Sequence, residues 1–356
     1  ILAKGNEALC EGSIKAGLKA YFGYPITPQN EIPAYMSREM PKRNLVFIQA
    51  ESELAAINMV LGASVAGARS MTTSSSPGIS LMQEGISYLA GCELPCVIVN
   101  VMRGGPGLGN ISGSQADYYQ STRGGGHGDY RVICLAPNSV QELHDFPFLA
   151  FHLADKYRNP VMILADGILG QMLEGIDESV SNAFAEKINK EKLPANNWVL
   201  NGCKGRNPRL IRSLFMKEGA LEKHNYKLKE KYDRIEKDEV LCEEFGMDEA
   251  EIAVTAYGIT ARMAKEAVKR VDSKKVGFIR PVTLWPFPYS VYEKYSGRLK
   301  KVICVEHSLG QMVDDVMLAV ESRKKVEFIG KPGGGIVTPD EIMGKIESCL
   351  KQKITA

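Results

Sequence analysis

The sequence predicts an α/β chain in which a parallel sheet covered by helices on both faces is followed by a second, smaller α/β domain. Three observations carry that prediction. Short, nearly all-apolar runs of strand length alternate with longer stretches of helical spacing, the pattern of strands buried on both faces. Glycine, 34 of 356 residues, is densest in the first 170 positions, between those runs. From about residue 186 to 246 the composition turns charged, and the alternation resumes at about 251.

The elements follow in order. Runs at 45–50, 70–74, 96–102, 132–136 and 161–166 read as strands, and 52–66, 78–90 and 139–157 as the helices between them. Ser52 is placed to cap the first of these helices, and Asn138 or Ser139 the last. Residues 224–238, almost entirely charged at helical spacing, read as an exposed helix joining two domains. Beyond it come a strand at 252–257, a helix at 259–271, strands at 276–279 and 301–306, a helix at 311–321, and a final helix at 339–353. Thr338 and Pro339 supply that last helix with a cap and a first-turn proline. The expected division is 1–190, a charged linker with a helical segment at 191–246, and 247–356. There is no internal repeat and no low-complexity tract.

Composition excludes several classes of function. With 44% hydrophobic and 24% charged residues the chain is of ordinary globular type, and 44 Lys+Arg against 42 Asp+Glu leave a net charge of +2. No basic field of the kind nucleic-acid binders need arises from that balance. No apolar run approaches the roughly 18 to 20 residues of a membrane span, and no signal peptide is visible, so a cytoplasmic location is expected.

The eight cysteines are widely spread, with Cys92 and Cys96 the only close pair and no CxxC. An iron–sulfur cluster takes about four thiolates at short spacings. Free structural thiols are therefore expected, Cys134 and Cys304 as small buried hydrophobes. Electron carriers belong on another chain.

Two glycine-rich stretches, 103–109 and 124–129, lack the dinucleotide fingerprint, because Asn110 and Asp129 stand where its third glycine must fall. Walker and Gly-x-Ser-x-Gly motifs are absent. The five histidines include no HExxH, and no metal site is expected on this chain. His144 and His152 share one predicted helix and read as packed side chains. His127, in a polyglycine loop, is a weaker candidate for approaching a ligand.

What remains is a set of loops at the carboxyl ends of predicted strands, where open parallel sheets bind ligands. They are Tyr24-Pro-Ile-Thr-Pro28, Glu51-Ser-Glu53, Thr72-Thr-Ser-Ser-Ser-Pro-Gly78 and Arg103-Gly-Gly-Pro-Gly-Leu-Gly109. Together they offer a hydroxyl held between prolines, a carboxylate opening a helix, a hydroxyl-lined helix start and one arginine. That suits an anionic small molecule plus a polar ring.

With Ala50-Glu-Ser-Glu-Leu-Ala-Ala56 and Ser74-Ser-Ser-Pro-Gly78 added, these motifs closely resemble the α subunit of the 2-oxoacid:ferredoxin oxidoreductases over nearly the whole chain. The wording is nearest to the branched-chain, 2-oxoisovalerate-oxidising members; the 2-oxoglutarate and pyruvate enzymes are the alternatives. The resemblance implies a thiamine-diphosphate-binding-type parallel-sheet domain followed by a transketolase C-terminal-like α/β domain. It implies coenzyme A-dependent oxidative decarboxylation, with electrons passing to ferredoxin. Thiamine enzymes normally hold the diphosphate and Mg2+ with a Gly-Asp-Gly stretch followed by an asparagine, and no Gly-Asp-Gly occurs here. The cofactor is then shared: this chain takes the pyrimidine, and a β subunit brings the diphosphate side and a cluster. Further γ and ferredoxin-like δ subunits are implied as well.

Thiamine is activated when a carboxylate shares a proton with ring N1′. Helical geometry does not separate Glu51 from Glu53, since one can cap the helix while the other lies in its first turn. The family pattern, counted nine residues back from Gly62, selects Glu53. Arg103 has the chemistry to take an oxoacid carboxylate, and Thr27 can hydrogen-bond the same substrate. Pro25 and Ile26 are candidates to meet the cofactor ring through their backbone. Thr72, Ser75 and Ser76 are weaker candidates, since hydroxyls at a helix start also serve as caps. Glu306-His-Ser-Leu-Gly-Gln311 is expected to face a subunit interface. A non-catalytic scaffold subunit and a stand-alone thiamine enzyme are the competing readings; the convergence of Thr27, Glu53 and Arg103 weighs against the first, and the missing diphosphate motif against the second.

Overall fold

The computed structural model describes residues 1–351, built around a seven-stranded sheet and a five-stranded one. Across the larger sheet the strands are Thr283–Trp285, Ile133–Leu135, Pro160–Asp166, Cys96–Met102, Ser70–Ser74, Ala20–Gly23 and Val46–Gln49. All are parallel except Thr283–Trp285, which runs antiparallel to its neighbour. Cys96–Met102 and Pro160–Asp166 are buried at every position. Helices cover both of their faces, which is why they read as unbroken apolar runs.

Serine starts two of the covering helices as expected. The Ser52 hydroxyl accepts the amide of Ala55 at the head of Glu53–Val65, and Ser139 accepts that of Glu142 at the head of Val140–Tyr157. Each hydroxyl satisfies an amide that has no partner within its helix. Ser76–Gly91 begins two residues earlier than its apolar pattern indicates, because Pro77 fits a first turn. Helix Gly5–Lys15 lies so close on Val140–Tyr157 that a Cβ at Gly12 would stand 1.9 Å from the His144 carbonyl oxygen.

The smaller sheet has the order Val326–Gly330, Lys301–Glu306, Ile252–Thr255, Val276–Pro281 and Cys242–Phe245, with only the last antiparallel. Helix Pro339–Lys351 closes the described chain; residues 352 and 353, expected at its end, lie outside the described residues. No helix among the described residues is long and apolar enough to cross a membrane.

Two expectations are corrected. Helix Ala220–Asp238 is not a solvated connector: Leu228, Tyr232 and Ile235, at i, i+4 and i+7, are buried along one face, and Tyr232 meets Trp285 edge-on at 5.8 Å. Lys231 is buried beside them, 3.8 Å from Glu93, and burial pushes its ammonium down to about 8. The stretch 306–311 does not point away from the chain either. Glu306, His307 and Ser308 are buried at the junction with the first domain, and Leu309 alone of this group stands out. Glu306 is held there because its carboxylate caps the next helix, accepting the amides of Gln311, Met312 and Val313.

The remaining titratable groups are packed ones. His144 contacts Asp145 and the Ser181 hydroxyl, and His152 contacts Glu191. All eight cysteines are free, five of them buried. Among the described residues no three His, Cys, Asp or Glu side chains gather as a metal group.

Candidate active site

Three of the four stretches follow a strand of the larger sheet, and the fourth, 72–78, spans the end of strand Ser70–Ser74 and the start of helix Ser76–Gly91, so all four lie at the sheet's carboxyl edge. Ala20–Gly23 and Ser70–Ser74 are neighbours, yet the chain leaves the first toward the sheet edge at Val46–Gln49 and the second toward Cys96–Met102 on the other side. Such a reversal opens a crevice between the two loops.

Burial separates the two glutamates. Glu51 is exposed, whereas Glu53 is only 5% exposed. Among the described residues the Glu53 carboxylate accepts a single hydrogen bond, from Ser74 Oγ at 3.4 Å. A buried carboxylate with so little satisfaction is costly unless a donor comes from outside the chain. Gly78 makes the room for it: a Cβ there would stand 2.0 Å from Ser74 Oγ and 2.4 Å from Glu53 Oε1.

Arg103 and Thr27 are brought together. Arg103, 8% exposed, donates from Nη1 to the Thr27 carbonyl at 2.9 Å and from Nη2 to the Leu108 carbonyl at 3.0 Å, and its Nε has no partner. Neutral carbonyls bond a guanidinium less strongly than a carboxylate does. The charge is therefore positioned without being neutralised. Thr27 Oγ1 accepts from Asn30 at 3.1 Å, Pro25 is exposed, and the half-buried Ile26 accepts the Gln29 amide through its carbonyl. Gln29 itself is buried and supports the loop from below, donating to the Tyr24 carbonyl at 3.1 Å and accepting from the Thr73 hydroxyl.

The serine-rich loop divides in two. Ser76 Oγ accepts the Arg103 amide at 3.0 Å and donates to Asp117. Asp117 also accepts from Asn100 at 2.9 Å, and burial pushes its carboxyl up from the ordinary range despite both bonds. Thr72 and Ser75 are buried with hydroxyls that have no partner. His127 is not brought to the cluster. It is exposed, and its carbonyl accepts from Ser87, eleven residues and so roughly 16 Å along the helix from Ser76.

Gln29, Asn100 and Asp117 were not foreseen. Asn100 did leave a signal, a polar residue inside an otherwise apolar strand. Asp117 left none, because its partners are 17 and 41 residues away in sequence. Beside this cluster lies a cavity of about 470 Å³, walled by Ser76, Pro77 and Asp117 on one side and by Leu309, Gln311 and Gly333 on the other. A larger cavity of about 740 Å³ lies against helix Ala220–Asp238 and contains none of the site residues.

These loops, and the sequence around them, have counterparts in known proteins. Residues 11–243 match the family described as pyruvate flavodoxin/ferredoxin oxidoreductase, thiamine diphosphate-binding, and residues 250–342 match pyruvate:ferredoxin oxidoreductase core domain II. The chain is 50% identical to ketoisovalerate oxidoreductase subunit VorB of Methanothermobacter marburgensis, covering 97% of this chain and 96% of that protein. It is 38% identical to 2-oxoglutarate synthase subunit KorA of Methanocaldococcus jannaschii, covering 95% and 97%. A solved 2-oxoglutarate:ferredoxin oxidoreductase from Magnetococcus marinus, with 2-oxoglutarate, coenzyme A and succinyl-CoA bound, superposes with a TM-score of 0.86 at 28% identity, over 98% of this chain and 65% of that one. A split-gene transketolase shares the fold at a TM-score of 0.60 and 12% identity, over 98% and 99% of the two chains.

Proposed function

The chain belongs to the pyruvate flavodoxin/ferredoxin oxidoreductase family, and from that premise we propose that it is the α subunit of a thiamine-dependent 2-oxoacid:ferredoxin oxidoreductase acting on a branched-chain 2-oxoacid with coenzyme A. The observation that carries this reading is the buried, thinly bonded Glu53 in the same crevice as Thr27 and Arg103. When bound, thiamine diphosphate supplies the electron sink for decarboxylation. Glu53 shares a proton with pyrimidine N1′, the outside hydrogen-bond partner that its thinly bonded carboxyl lacks within the chain. Pro25 and Ile26 offer backbone to the ring. Arg103 exchanges a carbonyl for the substrate carboxylate, and Thr27 orients the same group. Thr72, Ser75 and Ser76 are secondary contacts, and His127 a remote one.

The choice of a branched-chain substrate has two supports. The 50% relative is named for ketoisovalerate and the 38% relative for 2-oxoglutarate. In addition, Arg103 is the only cation within 24–28, 72–78 and 103–117, so these loops offer no second positive group to a distal carboxylate.

The diphosphate, Mg2+ and iron–sulfur clusters are assigned to partner subunits: a β subunit at the crevice, with γ and ferredoxin-like δ subunits beyond it. Exposed apolar side chains support a partner on this side of the sheet: Leu54 and Met59 on helix Glu53–Val65, and Val46 and Ile48 on the edge strand. The pyrimidine-binding part is assigned to 1–190 and the transketolase C-terminal-like part to 247–356, with 191–246 joining them. The complex is placed in the cytoplasm, with ferredoxin as acceptor. The test compares turnover of 2-oxoisovalerate, 2-oxoglutarate and pyruvate by the reconstituted complex. A preference for 2-oxoisovalerate is expected; a clear preference for 2-oxoglutarate overturns the substrate assignment.

A further inference from the structure

The loop that carries Arg103 does not stand on the first domain alone. It closes on itself first: the Gly104 amide donates to the Ser112 carbonyl at 2.9 Å, the Asn110 amide to the Gly104 carbonyl at 2.9 Å, and Arg103 forms a bridge with Gly113. Immediately after this closed turn, Gln115 is completely buried and inserted into the second domain. Its amide donates to the His307 carbonyl at 2.9 Å, and its carbonyl accepts the Tyr257 hydroxyl at 3.0 Å. Its side-chain Nε2 donates to the Tyr257 carbonyl at 2.8 Å. Oε1 accepts the His307 amide at 2.9 Å and lies 3.0 Å from the Thr260 hydroxyl, whose one proton it shares with the Tyr257 carbonyl at 2.7 Å. All four polar atoms are thereby used, every one on the second domain.

A fully satisfied buried amide fixes its backbone in one place, since any shift leaves several groups unpaired at once. The closed turn begins at Arg103 and ends at this anchor, and it contains Leu108, whose carbonyl holds the Arg103 guanidinium at 3.0 Å. The cavity beside Asp117 is walled by the same two domains that Gln115 fastens together. We propose that Gln115 is a positioning residue for 2-oxoacid binding, through which the second domain sets where the Arg103 guanidinium meets the substrate carboxylate. This rests on the reading of Arg103 given above.

The test is a double-variant cycle on the assembled complex, read as KM and kcat for the 2-oxoacid. Losing one buried polar anchor is expected to raise KM about tenfold in Gln115→Ala, with kcat within about threefold. In an Arg103→Lys background the same change is expected to add less than about twofold, because the group it positions is already compromised. A wild-type KM in Gln115→Ala, or full additivity in the double variant, overturns the proposal. An Arg103→Lys enzyme with unchanged KM instead overturns the substrate role of Arg103. Should Gln115→Ala fail to assemble, Thr260→Val and Thr260→Ser decide. A KM raised about threefold in the first and restored in the second supports the role, in keeping with a single weakened hydrogen bond, and an unchanged KM in Thr260→Val overturns it.

Discussion

The crevice and the domain junction are both buried and both polar, yet they treat hydrogen bonds in opposite ways. Among the described residues eleven buried side-chain polar atoms have no partner, and four of them, on Thr72, Ser75, Asn100 and Arg103, belong to the crevice. At the junction Gln115 uses every polar atom, and Glu306 accepts three helix amides and the Ser308 hydroxyl. Asp166 accepts the amides of Ile168 and Leu169, although burial still pushes its carboxyl up to about 6. His307 Nδ1 and Arg280 Nε, whose guanidinium reaches Glu142 and Ala136 of the first domain, are the exceptions on that side. Satisfied groups fix a backbone, whereas unsatisfied buried groups cost stability and persist where a ligand completes them.

The sharpest way to break this contrast is Glu53→Gln in the assembled complex. Removing the shared proton at N1′ while keeping shape is expected to cost about a thousandfold in turnover, with subunit assembly unchanged by sedimentation. Near-normal turnover would show that the thin bonding of Glu53 has no catalytic meaning.

A smaller effect probes the junction. Burial pushes His307 down to about 4, below the ordinary 6.5 of an unfolded chain. The unfolded chain therefore takes up the proton first as pH falls. The contribution of His307 to stability is complete above pH 6.5 and is lost as pH drops through 4. Between pH 7.5 and 5 the loss amounts to about 2 kcal/mol. Urea unfolding at those two values, compared with His307→Gln, checks it: the variant should lose less than the wild type, and an equal loss removes His307 as the cause.

The sequence discloses the crevice better than the junction, for a physical reason. Strands buried on both faces leave contiguous apolar runs, and their loops follow at once, so Thr27, Arg103, Ser76 and the pair Glu51 and Glu53 are found by position. The short strand Ala20–Gly23 escapes because four residues ending on glycine show too little periodicity. Separating Glu53 from Glu51 needs burial, which spacing does not encode. Gln115 and Asp117 act through partners on other elements, Gln115 through residues more than 140 positions away. The charge content of helix Ala220–Asp238 hides its packing, and only Leu228, Tyr232 and Ile235 mark the buried stripe.

The central claim is that this chain holds one half of a thiamine site, and titration of thiamine diphosphate into the chain with and without its β subunit tests it most directly when 2-oxoacid oxidation is followed in the same samples. Weak binding and no turnover by the chain alone, with both affinity and oxidation gained on adding the β subunit, is the predicted result. Full activity from the isolated chain would contradict it.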